Sequence, residues 1–382
     1  MIKRIILLFI FGGLLWYSCG TPYLKKTDAE YQRDIEILME ELLDNPGNAS
    51  ILQELGVAHY ELENYNSALK YLIRSFKQNP NDAKTMTFLG MTLEAQNKNA
   101  IALKIYKRYT KLSGSSPFRD TLAARYKILH RKVIRDEMRQ LLKNEYSLDV
   151  SNIKPKSVAV FPMTYRGANE EFKALGKGIS EMIITDLSQV KNLTIIDRIR
   201  LQALMDEISL GQSGVVDENT APRFGKLLGA AKIVHGGFDV LREDNLQLNV
   251  AFWDVLNNDL PEFSEKQDQL DNLFKLEKEL VFSIINDMNI ELTPLERQRI
   301  QHIPTKNIQA FMAYCMGLNE EDAGNFVQAA QYFQQSVNLD PQFKSAAKYL
   351  SDTQILTSAT QLNSDQASFE TLQYSDAGQE NN

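Results

Sequence analysis

LQELGVAHYELENYNSALKYLIRSFKQNPND, residues 52–82, is followed by a second version of its own pattern, MTFLGMTLEAQNKNAIALKIYKRYTKLSG, residues 86–114. Leu55-Gly56 returns as Leu89-Gly90, Ala68 as Ala102 and Pro46 as Pro80, each 34 residues further on. Gly56 and Ala68 are small where two antiparallel helices must approach closely, and Tyr60, Leu62, Tyr65 and Leu72 are large enough to fill the space around them. Pro80 ends the second helix, since proline has no N–H to give the helical ladder. A helix pair of this kind cannot bury its apolar face alone, so it stacks on copies of itself. DIEILMEELLDNP, residues 34–46, reads as the second helix of an earlier unit, and the amphipathic stretch 118–145 offers Leu122, Tyr126, Leu129, Val133 and Leu141 as a closing face.

This period and residue placement are those of tetratricopeptide repeats. The pattern comes back near the C-terminus in FMAYCMGLNEEDAGNFVQAAQYFQQSVNLDPQF, residues 311–343, with Gly317, Gly324, Phe326, Ala329, Phe333 and Pro341 at repeat spacing. Repeats are therefore expected over 28–147 and 306–350. The last stretch, 351–382, is rich in Ser, Thr, Gln, Asn and Asp, with few large apolar groups, and is expected to be disordered.

Residues 155–300 change character. SVAVFPM (157–163) is a short apolar run of the kind that forms a buried strand. Phe172, Leu175, Ile179, Met182, Ile183 and Leu187 then fall on one helical face, LTIIDR (193–198) is a second strand, and Leu201, Leu204, Met205 and Ile208 mark another helix. Thr220, Pro222 and Gly229 bracket a short helix as cap, first-turn proline and terminal glycine. KIVHGGFDV and NLQLNVAFWDV form an antiparallel hairpin, with Leu246, Leu248, Val250 and Phe252 on one core face. A helix from about Asp271 to Met288 closes the unit. The order β-α-β-α-α-β-β-α predicts a mixed sheet covered by helices.

VAVFPM (158–163) and LGKGISEMIITDLSQVKNLTIIDRIRLQALMDEISLGQSGVVDENTAPRFGKLLGAAKIVHGGF (175–238) resemble the CsgG domain of curli-secretion lipoproteins, and the related FlgO and TolB N-terminal domains. The resemblance implies that Asp197-Arg198 ends the second strand, and that Gly225, Gly229 and Ala230 let a short helix pack tightly before the third. For Arg198 two roles stay open, capping or pairing across elements, and contact with a ligand. The fold class expected is thus an α/β mixed-sheet CsgG-like domain flanked by all-α tetratricopeptide helical repeats.

The N-terminus bears on location. Lys3 and Arg4 precede an apolar run from Ile5 to Tyr17, which is short of the ~20 residues of a spanning helix and fits a signal peptide. Ser18, Cys19, Gly20 and Thr21 resemble the lipobox of bacterial lipoproteins, in which the cysteine becomes the lipid-bearing N-terminus. Residues 1–18 are then a signal peptide and 19–27 a tether; the alternative reading of the same run is an uncleaved N-terminal anchor. One acyl chain holds a protein only marginally, whereas a multiply acylated cysteine anchors it stably. With Cys19 acylated, Cys315 has no disulfide partner and is expected to be a small buried hydrophobe.

Chemistry is not evident. The chain has 42 Lys and Arg against 49 Asp and Glu, so it makes a poor generic nucleic-acid binder, and the basic run Arg119 to Lys143 reads as a solvated helix face. His59, His130, His235 and His302 are far apart, in no metal-ligand spacing. LGKGIS (175–180) lacks the third glycine of a dinucleotide fingerprint and the Gly-Lys-Ser/Thr of a phosphate loop. Glu170-Glu171 and Glu320-Glu321 read as solvated carboxylates. No enzyme, cofactor or metal is expected.

Two functions follow from the resemblance. The first is an anchored, periplasm-facing scaffold that contacts envelope proteins through its repeats, the lipid holding it to the outer membrane. The second is an oligomeric secretion-channel subunit. Each membrane hairpin of a channel needs strands of about 9–11 alternating residues. Residues 207–221 are short and polar and 257–272 acidic, which ranks the scaffold first. Homo-oligomerisation is compatible with either. Cys19→Ala is expected to abolish incorporation of an alkyne fatty acid and to leave unprocessed or released protein; equal labelling of variant and wild type would rule out lipidation at this cysteine.

Overall fold

The computed structural model describes residues 26–116, 118–148, 151, 153–208, 220–241, 245–256 and 262–361. The signal segment and Cys19 lie outside the described residues, as do 209–219 and 257–261 within the two segments weighed for channel strands.

The first helices are α1 (Asp28–Asp44), α2 (Ala49–Glu61), α3 (Tyr65–Gln78), α4 (Ala83–Ala95) and α5 (Asn99–Tyr106). They pair α2 with α3 and α4 with α5. The place where a Cβ on Gly56 would project is filled by Leu72, and the corresponding place at Gly90 by the ring of Tyr106. Ala68 and Ala102 are fully buried at the same crossings. The connecting turns repeat as well. Arg74 donates to the Pro46 carbonyl at 2.8 Å and Arg108 to that of Pro80 at 3.1 Å. The turn inside each pair has a residue in the left-handed region, Glu63 and then Asn97, both at φ 57°.

The C-terminal unit has the same geometry. It consists of α12 (Ile308–Asp322), α13 (Phe326–Leu339) and α14 (Lys344–Gln361). Phe333 fills the space beside Gly317, Ala329 is fully buried, Pro341 stands in the turn before α14, and Gly324 takes the left-handed position at φ 83°. Ser75 Oγ donates to the Ala49 carbonyl at 2.9 Å, and Ser336 Oγ to that of Ala310 at 2.7 Å.

Between the repeats run β1 (Ser157–Val160), β2 (Thr164–Tyr165), α7 (Leu175–Leu187), β3 (Thr194–Ile195), α8 (Arg198–Glu207), α9 (Ala221–Leu228), β4 (Lys232–Leu241), β5 (Asn245–Asp254), β6 (Glu262–Gln269), α10 (Leu273–Asp287) and α11 (Pro294–Ile300). The strands form one sheet in the order β3-β1-β4-β5-β6, with β2 also beside β4. β1 pairs parallel with β3 and β4, while β4, β5 and β6 are antiparallel. On one face Val158, Val234, Leu246 and Leu248 pack against α7 and α10, and this core continues without a break through Phe311 and Tyr314 to Phe333 and Phe343 of the C-terminal unit. On the other face Ala159, Phe161, Ile233 and Trp253 pack under α8 and α9.

Four sequence expectations are corrected. The β4–β5 hairpin has two core faces, because Ala251 and Trp253 are also buried, within the core formed with α8 and α9. Part of the acidic stretch 257–272 is β6, an edge strand whose residues from Phe263 to Gln269 are exposed or half-buried, so it carries no apolar period. Residues 351–361 are helical, since α14 lies on α6 (Arg119–Lys143) with Thr353 and Leu356 buried and Asp352 paired to Lys127 at 2.6 Å. The rest of that tail, 362–382, lies outside the described residues. Finally, the basic side of α6 is only partly solvated, while its apolar side closes the repeats as expected. Leu122 and Leu129 close the repeat core, Ile134 and Met138 enter the sheet's second core, and its bases pair across elements: Arg125 with Glu94, Arg139 with Glu207.

Ala68→Leu must push α2 and α3 apart, at a cost of about 1–3 kcal/mol. Gly47→Ala, whose added Cβ would meet nothing within 4 Å, is the neutral control. Thermal unfolding that does not separate the two variants would contradict this helix pairing.

Candidate functional site

The end of α12 poses an electrostatic problem. Glu320, Glu321 and Asp322 close the helix with no base in its last turn, although a helix C-terminus carries partial negative charge. Glu321 and Asp322 are buried as well, their side chains 8% and 5% exposed. The compensating charge arrives from three other elements. Arg198, the first residue of α8, pairs with Asp322, and its guanidinium also faces Glu321 at 3.5 Å and Glu181 of α7 at 3.4 Å. Lys177 of α7 reaches Asp322 at 2.9 Å. Arg131 of α6 pairs with Glu321 and lies over the Phe326 ring. Tyr349 of α14 donates its hydroxyl to Glu181 at 2.6 Å and offers its ring to Arg198.

Local sequence aims these groups. Asp197 caps α8 by accepting from the Ile199 N–H at 2.8 Å, which fixes the helix start and points Arg198 at α12. Lys177 and Glu181 are one turn apart on α7 and share a face. The glycines of LGKGIS let α7 come close. Gly176 packs on the Met163 carbonyl, and Gly178 on Cys315 and Phe311 of α12. Cys315 is fully buried, and burial pushes its thiol well above the ordinary range. These glycines serve helix packing.

The carboxylates divide by their partners. Burial raises those of Glu181 and Glu321, whose Oε2 atoms face Arg198 without a hydrogen bond. Burial also acts on Asp322, but Arg198 and Lys177 outweigh it and hold this carboxyl below the usual range. Burial opposes the charge on Arg198, yet Asp322, Tyr349 and the two glutamates keep the guanidinium protonated. A second buried group lies nearby. Lys278 of α10 pairs with Asp186 of α7 and lies 3.2 Å from Glu277. Burial, and then the Asp186 charge, push the fully buried Glu277 carboxyl up to about 8.

Two clefts flank the junction. One, about 470 Å³, is lined by Arg131, Ile196, Lys348, Tyr349 and Asp352. The other, about 780 Å³, lies between α7, α11 and the α13–α14 turn, with Met182, Ile303, Tyr314 and Phe343 at its floor. Among the described residues no group of His, Cys, Asp and Glu has metal-ligating geometry. His59 stacks on Tyr71, His130 on Tyr126, and His235 lies between Phe161 and Trp253, where burial drives its pKa down to about 4. His302 is exposed at the larger cleft.

Of the groups singled out from sequence, Arg198 pairs across elements, while Glu321 of the supposedly solvated Glu320-Glu321 is buried. Lys177, Glu181, Asp322 and Tyr349 carry no local pattern. The one signal was an acidic helix end without a base.

Residues 139–241 match the family described as curli production assembly/transport component CsgG, and residues 49–82 match the tetratricopeptide repeat. The chain joins a CsgG-type domain to tetratricopeptide repeats. The CsgG match starts inside α6, within the part of that helix that already packs in the sheet's second core. No curated protein matches the chain. Among solved structures, the LpoB C-terminal domain from Salmonella enterica aligns at 13% identity and a TM-score of 0.26, over 35% of this chain and 95% of its own. A tetratricopeptide repeat protein from Parabacteroides merdae aligns at 11% identity and a TM-score of 0.25, over 85% of this chain and 93% of its own. Both superpose too loosely to carry an inference.

Arg198→Met leaves three buried carboxylates with two bases, and breaking a buried pair on one side costs about 3–5 kcal/mol. The variant is expected to melt earlier and to exchange amide hydrogens faster at the end of α12 and in α14. Arg198→Lys should recover only part of the loss, because an ammonium cannot serve three carboxylates as a planar fork does. Wild-type melting in Arg198→Met would show that the junction is not held by this charge.

Proposed function

We propose that the chain is a lipid-anchored, periplasm-facing protein of the bacterial envelope, a non-catalytic scaffold for envelope or secretion-complex assembly. The observation that carries this reading is the junction. A CsgG-type domain with repeats on both sides is tied by buried charge to its C-terminal unit, which makes the repeats parts of a fixed platform. Stacked helical pairs present extended surfaces suited to protein contact. The CsgG likeness supports envelope association, and the Cys19 motif supports the anchor. No described helix is long and apolar enough to cross a membrane. All the described strands belong to one sheet whose central strands are covered on both faces, which favours the scaffold over the channel.

The test is in-envelope crosslinking followed by affinity purification of the tagged full-length chain, together with planar-bilayer recording. A reproducible set of envelope proteins recovered with the chain, and no conductance, is the expected outcome. Recovery of the chain alone, or stepwise conductance from a ring-sized homo-oligomer, would overturn it.

A further inference from the structure

The larger cleft has an unbalanced charge that the rest of the protein does not explain. Its acids are all engaged internally. Asp186 pairs with Lys278, Glu181 accepts from Tyr349 at 2.6 Å and faces Arg198, and Asp340 accepts from Thr305 Oγ1 at 2.6 Å. Its exposed bases are not. Arg299, Lys306 and Lys344 stand at the rim, and their side chains make no ion pair or hydrogen bond among the described residues. This positive rim surrounds an apolar floor on a chain that is acidic as a whole, so an anionic partner repelled by the general surface is drawn to this point.

The wall is built rather than incidental. Lys278 and Asp186 line the cleft as a buried pair, 8% and 6% exposed, and leave the floor neutral. Tyr314 and Phe343, both buried, meet ring to ring at 5.0 Å behind it. The rim bases come from three separate places: the end of α11, the loop before α12 and the first turn of α14. Bases on three separate segments suit a ligand that carries several carboxylates along a chain, and the apolar floor between them suits a side chain on that same ligand.

We propose that this cleft docks an extended acidic segment of a partner protein, which seats an apolar side chain on the floor at Ile303, backed by Tyr314 and Phe343, and sets its carboxylates on Arg299, Lys306 and Lys344. The proposal rests on the scaffold reading and names the chemistry of the partner. Exposed ion pairs are individually weak and screened by salt, so the apolar anchor fixes register while the rim supplies selectivity and salt dependence.

Fluorescence anisotropy of the full-length chain in nonionic detergent tests it. The probe is a fluorescein-labelled ten-residue peptide alternating Glu with Ser around a central Phe. Controls carry Lys for Glu, or Ala for Phe. Saturable binding of the acidic probe is expected, weakened about tenfold or more by the double substitution Arg299→Glu and Lys344→Glu and by raised salt. Both positions are exposed, so the variant is expected to keep the wild-type circular dichroism and melting. Lys70→Glu, on the repeat surface, is expected to bind as wild type. No saturable binding up to about 1 mM, equal binding of the Lys probe, or an unaffected double variant would overturn the assignment. Partners recovered by crosslinking without peptide binding would leave the scaffold standing and remove the cleft. Charge-dependent peptide binding without recovered partners would do the reverse.

Discussion

Arg198 is the constraint on which the arrangement turns. A guanidinium taken out of water is costly, and so is each carboxylate beside it; together they are tolerated only because three bases meet three acids at one place. Those six groups come from α6, α7, α8 and α12, with the Tyr349 hydroxyl of α14 completing the shell. No element can leave without stranding a buried charge. The cluster therefore acts less as a source of stability than as a condition on geometry: the helices must meet in this way or not at all.

The two sets of repeats are joined to the sheet by different means. On the C-terminal side the apolar core is continuous, from Val158 in the sheet through Phe311 to Phe343. On the N-terminal side the repeats have a core of their own, which meets the CsgG-type domain through α6, one helix with a foot in each. The first connection is a fusion and the second a strut. The strut is itself braced, since α14 lies on α6 and Lys127 and Arg131 pair with Asp352 and Glu321 of the C-terminal unit.

How far the sequence disclosed this depends on whether a feature is local. The repeats were legible because Gly56, Gly90 and Gly317 each need a large neighbour from the following helix, and that need recurs at fixed spacing. The central strands were legible from apolar runs. β6 was not, because an edge strand with polar residues on both sides has no period to detect. Alternation along β5 marks one core face and cannot tell that α8 and α9 also cover the side on which Trp253 lies. The sequence leaves Arg198 open between pairing across elements and ligand contact, because its partners Glu321 and Asp322 lie more than a hundred residues away in chain order and only folding brings them together. Glu321 read as solvated for the same reason.

The uninterrupted core has a consequence for how such a chain can change over generations. Repeat arrays ordinarily lengthen and shorten by gain or loss of whole units, each addition needing only a neighbour to stack on. Here the last unit is not interchangeable. Gly178 of α7 is shaped to Cys315, and Phe311 belongs to the sheet's own interior, so the unit forms part of the domain it flanks in sequence. Duplication or deletion is free only at the α1 end, and variation in array length among descendants of this chain should accumulate there, with the C-terminal unit inherited as a single piece with the sheet.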